Sequence, residues 1–253
     1  MIRHGDPDYV NDTLTEKGRH EAALLAKRAV SMNMGECYKS PLGRAKDTAA
    51  PCLEVTGKTA EILDWLQEFP AQVDLNKNPE LEKAYPDVKK EGGYFLPRIA
   101  WDMVPGYWTE HEAYMDKNTW RETEVAKNSD LVEVYDHVIE EFDRFLAEHG
   151  YVREGAHYRV EKESDETVTF FCHFGISCVL LSHLWNVSPF VLWHCLALAP
   201  TSVTEVVTEE REQGTAYFRG LKVGDISHLY AGGEEPSFAA RFCEIYSNKE
   251  QRH

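Results

Sequence analysis

Residues 167–185 run TVTFFCHFGISCVLLSHLW, and two structural periods meet inside them. The first six, Thr167 to Cys172, form a continuous β-branched and aromatic run, as expected of a strand covered on both faces. The chain then turns at Gly175 into an apolar helix, Ile176 to Trp185, which leaves His173 at the carboxyl end of the strand. A strand buried on both faces needs helices above and below it. That arrangement belongs to mainly parallel sheets, whose ligands sit beyond the carboxyl ends of the strands.

Working outward, Leu131, Val134, Tyr135, Val138, Phe142, Phe145 and Leu146 recur every three or four residues and predict a helix over 130–148. Towards the N-terminus, Thr15 to Met32 reads as an amphipathic helix with Thr15 as its N-cap. Cys37-Tyr38-Lys39 is a strand, Ser40-Pro41 opens a second helix that carries Arg44, and Thr59 to Leu66 is a further strand. Met1-Ile2 reads as the end of a first strand, cut short at its start. Two more strands, Ser202 to Glu209 and Thr215 to Leu221, meet at Glu212-Gln213-Gly214. Between Phe69 and about Ser129 no period is sustained. The expectation is α/β: a three-layer sandwich with a mainly parallel central sheet flanked by helices, one domain over residues 1–253 with a cap inserted at about 70–129.

With 253 residues, 43% of them hydrophobic, the chain has the material for a full core. A net charge of -16 argues against nucleic acid or an anionic membrane as partner, since both need a basic face. There is no apolar run of about 18 residues, and charged Arg3 follows Met1 almost at once with no signal-peptide core, so the expected location is cytoplasmic. Six cysteines (Cys37, Cys52, Cys172, Cys178, Cys195 and Cys243) form no CxxC pair, and neither zinc nor disulfides are expected. Whether the chain forms a homodimer stays open.

His4, Arg44, Glu68 and His173 each follow a strand candidate, so four titratable or basic groups converge on one edge of one sheet. Arg3-His4-Gly5 sets an imidazole beside a guanidinium, with a glycine that lets backbone approach a ligand. As a tripeptide this is weak; its company strengthens it. Leu14-Thr15-Glu16-Lys17-Gly18 follows, then Ser40-Pro41-Leu42-Gly43-Arg44-Ala45-Lys46-Asp47-Thr48-Ala49, Leu66-Gln67-Glu68, and Phe171-Cys172-His173-Phe174-Gly175.

That series resembles the histidine phosphatase superfamily, the phosphoglycerate mutase-like fold, from residue 2 to about 228. The resemblance implies a phosphorylated nucleophile at His4, phosphate ligands at Arg3 and Arg44, a second pocket histidine at His173 and a proton donor at Glu68. It implies a metal-independent phosphatase that hydrolyses a small phosphorylated metabolite, a phosphomonoester, with no cofactor. Elementary chemistry agrees: two forked guanidiniums and an imidazole can hold a phosphoryl dianion, and a neutral His4 nitrogen can attack in line. Its other nitrogen must be held by a hydrogen bond, for which a carbonyl near Gly5 is the candidate. Glu68 must be protonated to serve the leaving oxygen, and Trp65, Leu66 and Phe69 supply apolar surroundings.

The chain departs from the family pattern in two places. The familiar Asn six residues past the nucleophile is absent, and Asn11 stands seven past His4, with Tyr9 as an alternative phosphate contact. Phe174 follows His173 where Gly is commoner; since it is not Asp, the branch that takes its proton from such an Asp is disfavoured.

A cysteine phosphatase needs five residues between thiolate and arginine, whereas six separate Cys37 from Arg44 and Cys172 leads to no arginine. The run Gly175-Ile176-Ser177-Cys178-Val179 lacks the closing glycine of a hydrolase elbow. Two alternatives remain, a phosphoglycerate mutase-type phosphotransferase and an inactive phosphate-binding scaffold. The acidic stretch Asp74, Glu80, Glu82, Asp87 suits a second phosphate poorly. Arg98 and Lys117 are candidates for a second anionic group, and Trp101, Trp108 and Trp120 line a substrate mouth or pack the insert.

Overall fold

The computed structural model describes residues 1–238 and Ser247, so Cys243 and His253 lie outside the described residues. The chain divides into two compact units, one made of residues 1–68, 162–177 and 197–253, the other of residues 69–161 and 178–196.

The first unit is built on strands β1 (Ile2–Arg3), β2 (Glu36–Lys39), β3 (Ala60–Ile62), β4 (Val168–Cys172), β5 (Val203–Glu212) and β6 (Thr215–Asp225), in the spatial order β6-β5-β1-β4-β2-β3. From β1 to β3 all pairings are parallel, while β5 joins β1 and β6 antiparallel. This is the expected α/β fold with a parallel centre. Helices α1 (Glu16–Ala29) and α2 (Gly43–Thr56) pack on each other. Their apolar stripes, Leu25, Ala26, Ala29, Ala49 and Cys52, close over Ile2, Cys37, Phe171 and Val203. Burying such side chains is what stabilises the unit: truncating Phe171, fully buried on β4, costs about 3–5 kcal/mol.

Thr15 caps α1 by accepting from the Gly18 amide (3.0 Å). The second helix differs from expectation at its start. It opens at Gly43, because Pro41 lies in the bend after β2 and Leu42, with an extended backbone, takes the N-cap. The anticipated strand over 59–66 is only Ala60–Ile62, since Leu63 turns the chain into a 3₁₀ turn at Asp64–Leu66 that buries Trp65 and Leu66.

In the second unit the residues from 70 to 129 carry only short pieces, such as Pro79–Lys83, Pro105–Trp108 and Glu124–Lys127. The long helix α3 (Leu131–Glu148) and the short helix after Ser188, α5 (Pro189–Cys195), organise it, and α4 (Phe174–Trp185) enters it from residue 178. Its core is aromatic. Trp120 meets Tyr135 and Phe190 edge-on at ring-centroid distances of 4.9 and 6.1 Å, and Trp193 lies 5.3 Å from both Phe69 and Phe190. Trp120 therefore packs the insert, Trp101 stacks on Trp193, and Trp108 stacks on His194. Arg98, a candidate anion contact, is engaged by Asp87 and Asp102.

Among the described residues, no helix is long and apolar enough to cross a membrane, and no cluster of three or more His, Cys, Asp or Glu is arranged to hold a metal ion.

Candidate active site

Because β1 and β4 are parallel neighbours with Arg3 opposite Cys172, the residues that follow them, His4 and His173, leave the same edge of the sheet. Their rings lie 5.0 Å apart and both are buried. The His4 backbone is held on both sides, its amide donating to Cys172 O (3.0 Å) and its carbonyl accepting from Thr201 N (3.1 Å).

His4 Nδ1 donates to the carbonyl oxygen of Gly5 at 2.7 Å. A carbonyl only accepts, so the proton is on Nδ1 and the lone pair is on Nε2. Burial, then the neighbouring Arg3 and Arg44 charges, pull the His4 pKa well below its ordinary value. The ring is thus neutral near pH ~7, with a nucleophilic nitrogen.

Arg3 is buried, its Nη1 donating to Leu198 O and its guanidinium carbon lying 5.8 Å from the Phe174 ring centre. Phe174 thus flanks an arginine here, where the family commonly has glycine. Arg44, also buried, comes from the first turn of α2. Its Nη1 donates to Asp12 Oδ1 at 2.7 Å, its Nε has no hydrogen-bond partner, and Tyr9 lies 5.4 Å from its guanidinium carbon. His173 Nε2 is 2.7 Å from Ser40 Oγ, and its Nδ1 is buried without a partner. Burial, then His4, Arg44 and Arg3, pull its pKa well down as well. Buried donors with nothing to bind are costly, and a phosphoryl dianion is the kind of ligand that satisfies them.

Glu68 Oε1 accepts from the amide of Ile176 (3.2 Å), in the first turn of the helix that begins after His173. Asn11 is exposed, and its Nδ2 and backbone amide both donate to Asp8. Its neighbour Asp12 is the residue turned to the site. A left-handed backbone (φ 47°) swings the Asp12 carboxylate onto Gly43 N (2.6 Å) and Arg44. Burial opposes ionisation of Asp12, but those two donors prevail and hold its pKa below the usual carboxylate range.

Sequence reasoning did not single out Asp12, Ser40 or Thr48. The last accepts from Gly5 N (2.9 Å) and donates to Arg44 O (2.8 Å), tying the loop after His4 to α2. Its position one turn beyond Arg44 on the same helix was the available signal.

Two histidines from neighbouring strand ends are thus brought together with two arginines, one from the first strand and one from the first turn of α2. Residues 1–94 match the family model described as histidine phosphatase superfamily (branch 1). Among individual proteins, the chain is similar to a probable phosphatase of Schizosaccharomyces pombe, 24% identical over 243 residues that cover 90% of this chain and 93% of the relative. Its fold is shared by the phosphoserine phosphatase of Entamoeba histolytica in complex with 3-phosphoglyceric acid (TM-score 0.53, 16% identity, 90% of this chain and 96% of that one). A mycobacterial glucosyl-3-phosphoglycerate phosphatase in complex with VO3 shares it too (TM-score 0.51, 18% identity, 88% and 96%).

Proposed function

We propose that the chain is a phosphatase that hydrolyses a small phosphomonoester through a phosphohistidine formed at His4. The observation that carries this reading is the Nδ1–H donation to Gly5 O, which leaves an unprotonated Nε2 on a buried, neutral ring between two arginines.

In the first step Nε2 attacks phosphorus as the bond to the ester oxygen breaks, and Glu68 gives that oxygen a proton. Arg3, Arg44 and His173 hold the nonbridging oxygens, where charge concentrates. In the second step a water attacks the phosphohistidine, its proton goes to the Glu68 carboxylate, the P–N bond breaks and inorganic phosphate leaves. Asn11, bound to Asp8, has no part in this scheme.

The names of the compared proteins support the same substrate class, since phosphoserine phosphatase and glucosyl-3-phosphoglycerate phosphatase are both named for phosphorylated metabolites. The test is phosphate release from an aryl phosphate and a panel of sugar, nucleotide, serine and glycerate phosphates, with EDTA present. EDTA-resistant turnover that His4→Ala abolishes is expected. Turnover surviving that substitution, or none across the panel, contradicts the proposal.

A further inference from the structure

His173 is a neutral ring in a place where its single proton has to be on the right nitrogen. Its side chain is fully buried, and burial together with the facing groups His4, Arg44 and Arg3 keeps it from taking a second proton. A neutral imidazole has one donor and one acceptor. One nitrogen, Nε2, is occupied by Ser40 Oγ at 2.7 Å, and the nitrogen left for a ligand is Nδ1, which is buried and has no partner. If Nε2 carried the proton, Nδ1 would present a lone pair, and a phosphoryl oxygen would be repelled. If Ser40 donates to Nε2, Nδ1 carries the proton and becomes a ligand donor without the ring gaining charge.

Ser40 is placed to donate. It is fully buried, its amide is bound to Phe171 O (2.9 Å), and its Oγ accepts from Leu42 N (3.2 Å), so a lone pair is engaged there and the hydroxyl proton is available to the imidazole. The pairing comes from sheet register: Lys39 of β2 stands opposite Phe171 of β4, so the residues following those strands emerge side by side.

We propose that Ser40 is a positioning residue that donates its hydroxyl proton to Nε2 of His173, fixing the Nδ1–H tautomer and making Nδ1 a donor to a phosphoryl oxygen. The inference rests on the phosphatase reading for the identity of that oxygen, but the tautomer itself is open to direct observation.

The test is a long-range ¹H–¹⁵N correlation spectrum of the ¹⁵N-labelled full chain near pH ~7, with the His173 ring assigned by comparison with His173→Gln. The wild type is expected to show a protonated Nδ1 and a bare Nε2. Ser40→Ala is expected to lose that pattern and about 10²-fold in kcat/KM for an aryl phosphate, the order of effect of removing one transition-state donor. Ser40→Thr keeps the hydroxyl and is expected to restore both. A wild-type ring protonated on Nε2, or activity lost in Ser40→Ala with the tautomer unchanged, overturns the proposal. If the wild type hydrolyses no ester, the functional reading fails while the spectrum still decides the tautomer, so the two failures are distinguishable. If Ser40→Ala does not fold, the wild-type and Ser40→Thr spectra still decide the question.

Discussion

A histidine attacks phosphorus only through a nitrogen with a free lone pair, and at His4 one backbone carbonyl decides which nitrogen that is. Since burial and the two arginines hold the His4 pKa well below its ordinary value, the nucleophile is not lost as pH falls to ~6.5, where an exposed histidine is half protonated. The expected kcat/KM profile for an aryl phosphate therefore has no acid limb at ~6.5, and a limb centred there would contradict the neutral-ring account. Asp12 acts the other way on the site: its carboxylate holds Arg44, so under the proposed function it competes with phosphate for that guanidinium. Its side chain is 42% exposed, so the pair is worth about 0.2–1 kcal/mol, and Asp12→Asn is expected to tighten inhibition by inorganic phosphate about 1.4- to 5-fold. An unchanged or weaker inhibition constant would show that Asp12 serves only to cap α2. His4, Arg3, Arg44 and His173 were legible in the sequence because their chemistry lies in their residue type and in the strands they follow. Asp12 and Ser40 were not, since what they do depends on a left-handed backbone in one case and on sheet register in the other.

At the scale of elements, the site is assembled by close backbone approach. A Cβ on Gly43 would lie 2.0 Å from the carbonyl oxygen of Asp12, and one on Gly18 would lie 2.2 Å from that of Asp6. Neither oxygen belongs to a flexible side chain, so α2 or α1 must move. Gly43→Ala, which displaces the helix that carries Arg44, is expected to cost about 1–3 kcal/mol in denaturant unfolding and to reduce kcat/KM as well. Stability and activity both at wild-type level would show that α2 can shift freely. The helices with a clear 3.6-residue period, α1 and α3, were legible to within a few residues, as were β4 and the β5–β6 hairpin. Boundaries failed where local signals conflict: Pro41 resembles a helix start but lies in the bend after β2, and Asp64 breaks an apolar run into a 3₁₀ turn. From 70 to 129, order comes from aromatic packing, which leaves no period to read.

For the whole molecule, buried titratable groups set how stability depends on pH. Burial foremost, then Arg28, lowers the His228 pKa to about 4, and His4 and His173 shift in the same direction. Stability from groups with a lowered histidine pKa is fully present above ~6.5 and lost as pH falls through the folded value. Glu21 opposes them. Burial raises its pKa to about 7, although its carboxylate accepts from the amides of Asp6 (2.9 Å) and Ser237 (3.1 Å). Its contribution is present below the ordinary carboxylate range and is lost as pH rises through about 7. With these three histidines and His194, which burial also lowers, against one glutamate, Tm is expected to climb between pH ~4.5 and ~6.5 and to stop climbing above that; a Tm falling across this window would contradict the assignment of these rings as neutral. The central claim, covalent transfer through His4, is tested most directly by rapid quenching of the enzyme during turnover of a slow phosphate ester, followed by peptide mapping by mass under neutral conditions. The account predicts one phosphoryl group on the peptide bearing His4, absent from His4→Ala. A phosphoryl group on another residue, or turnover with no phosphorylated enzyme at any quench time, would contradict it.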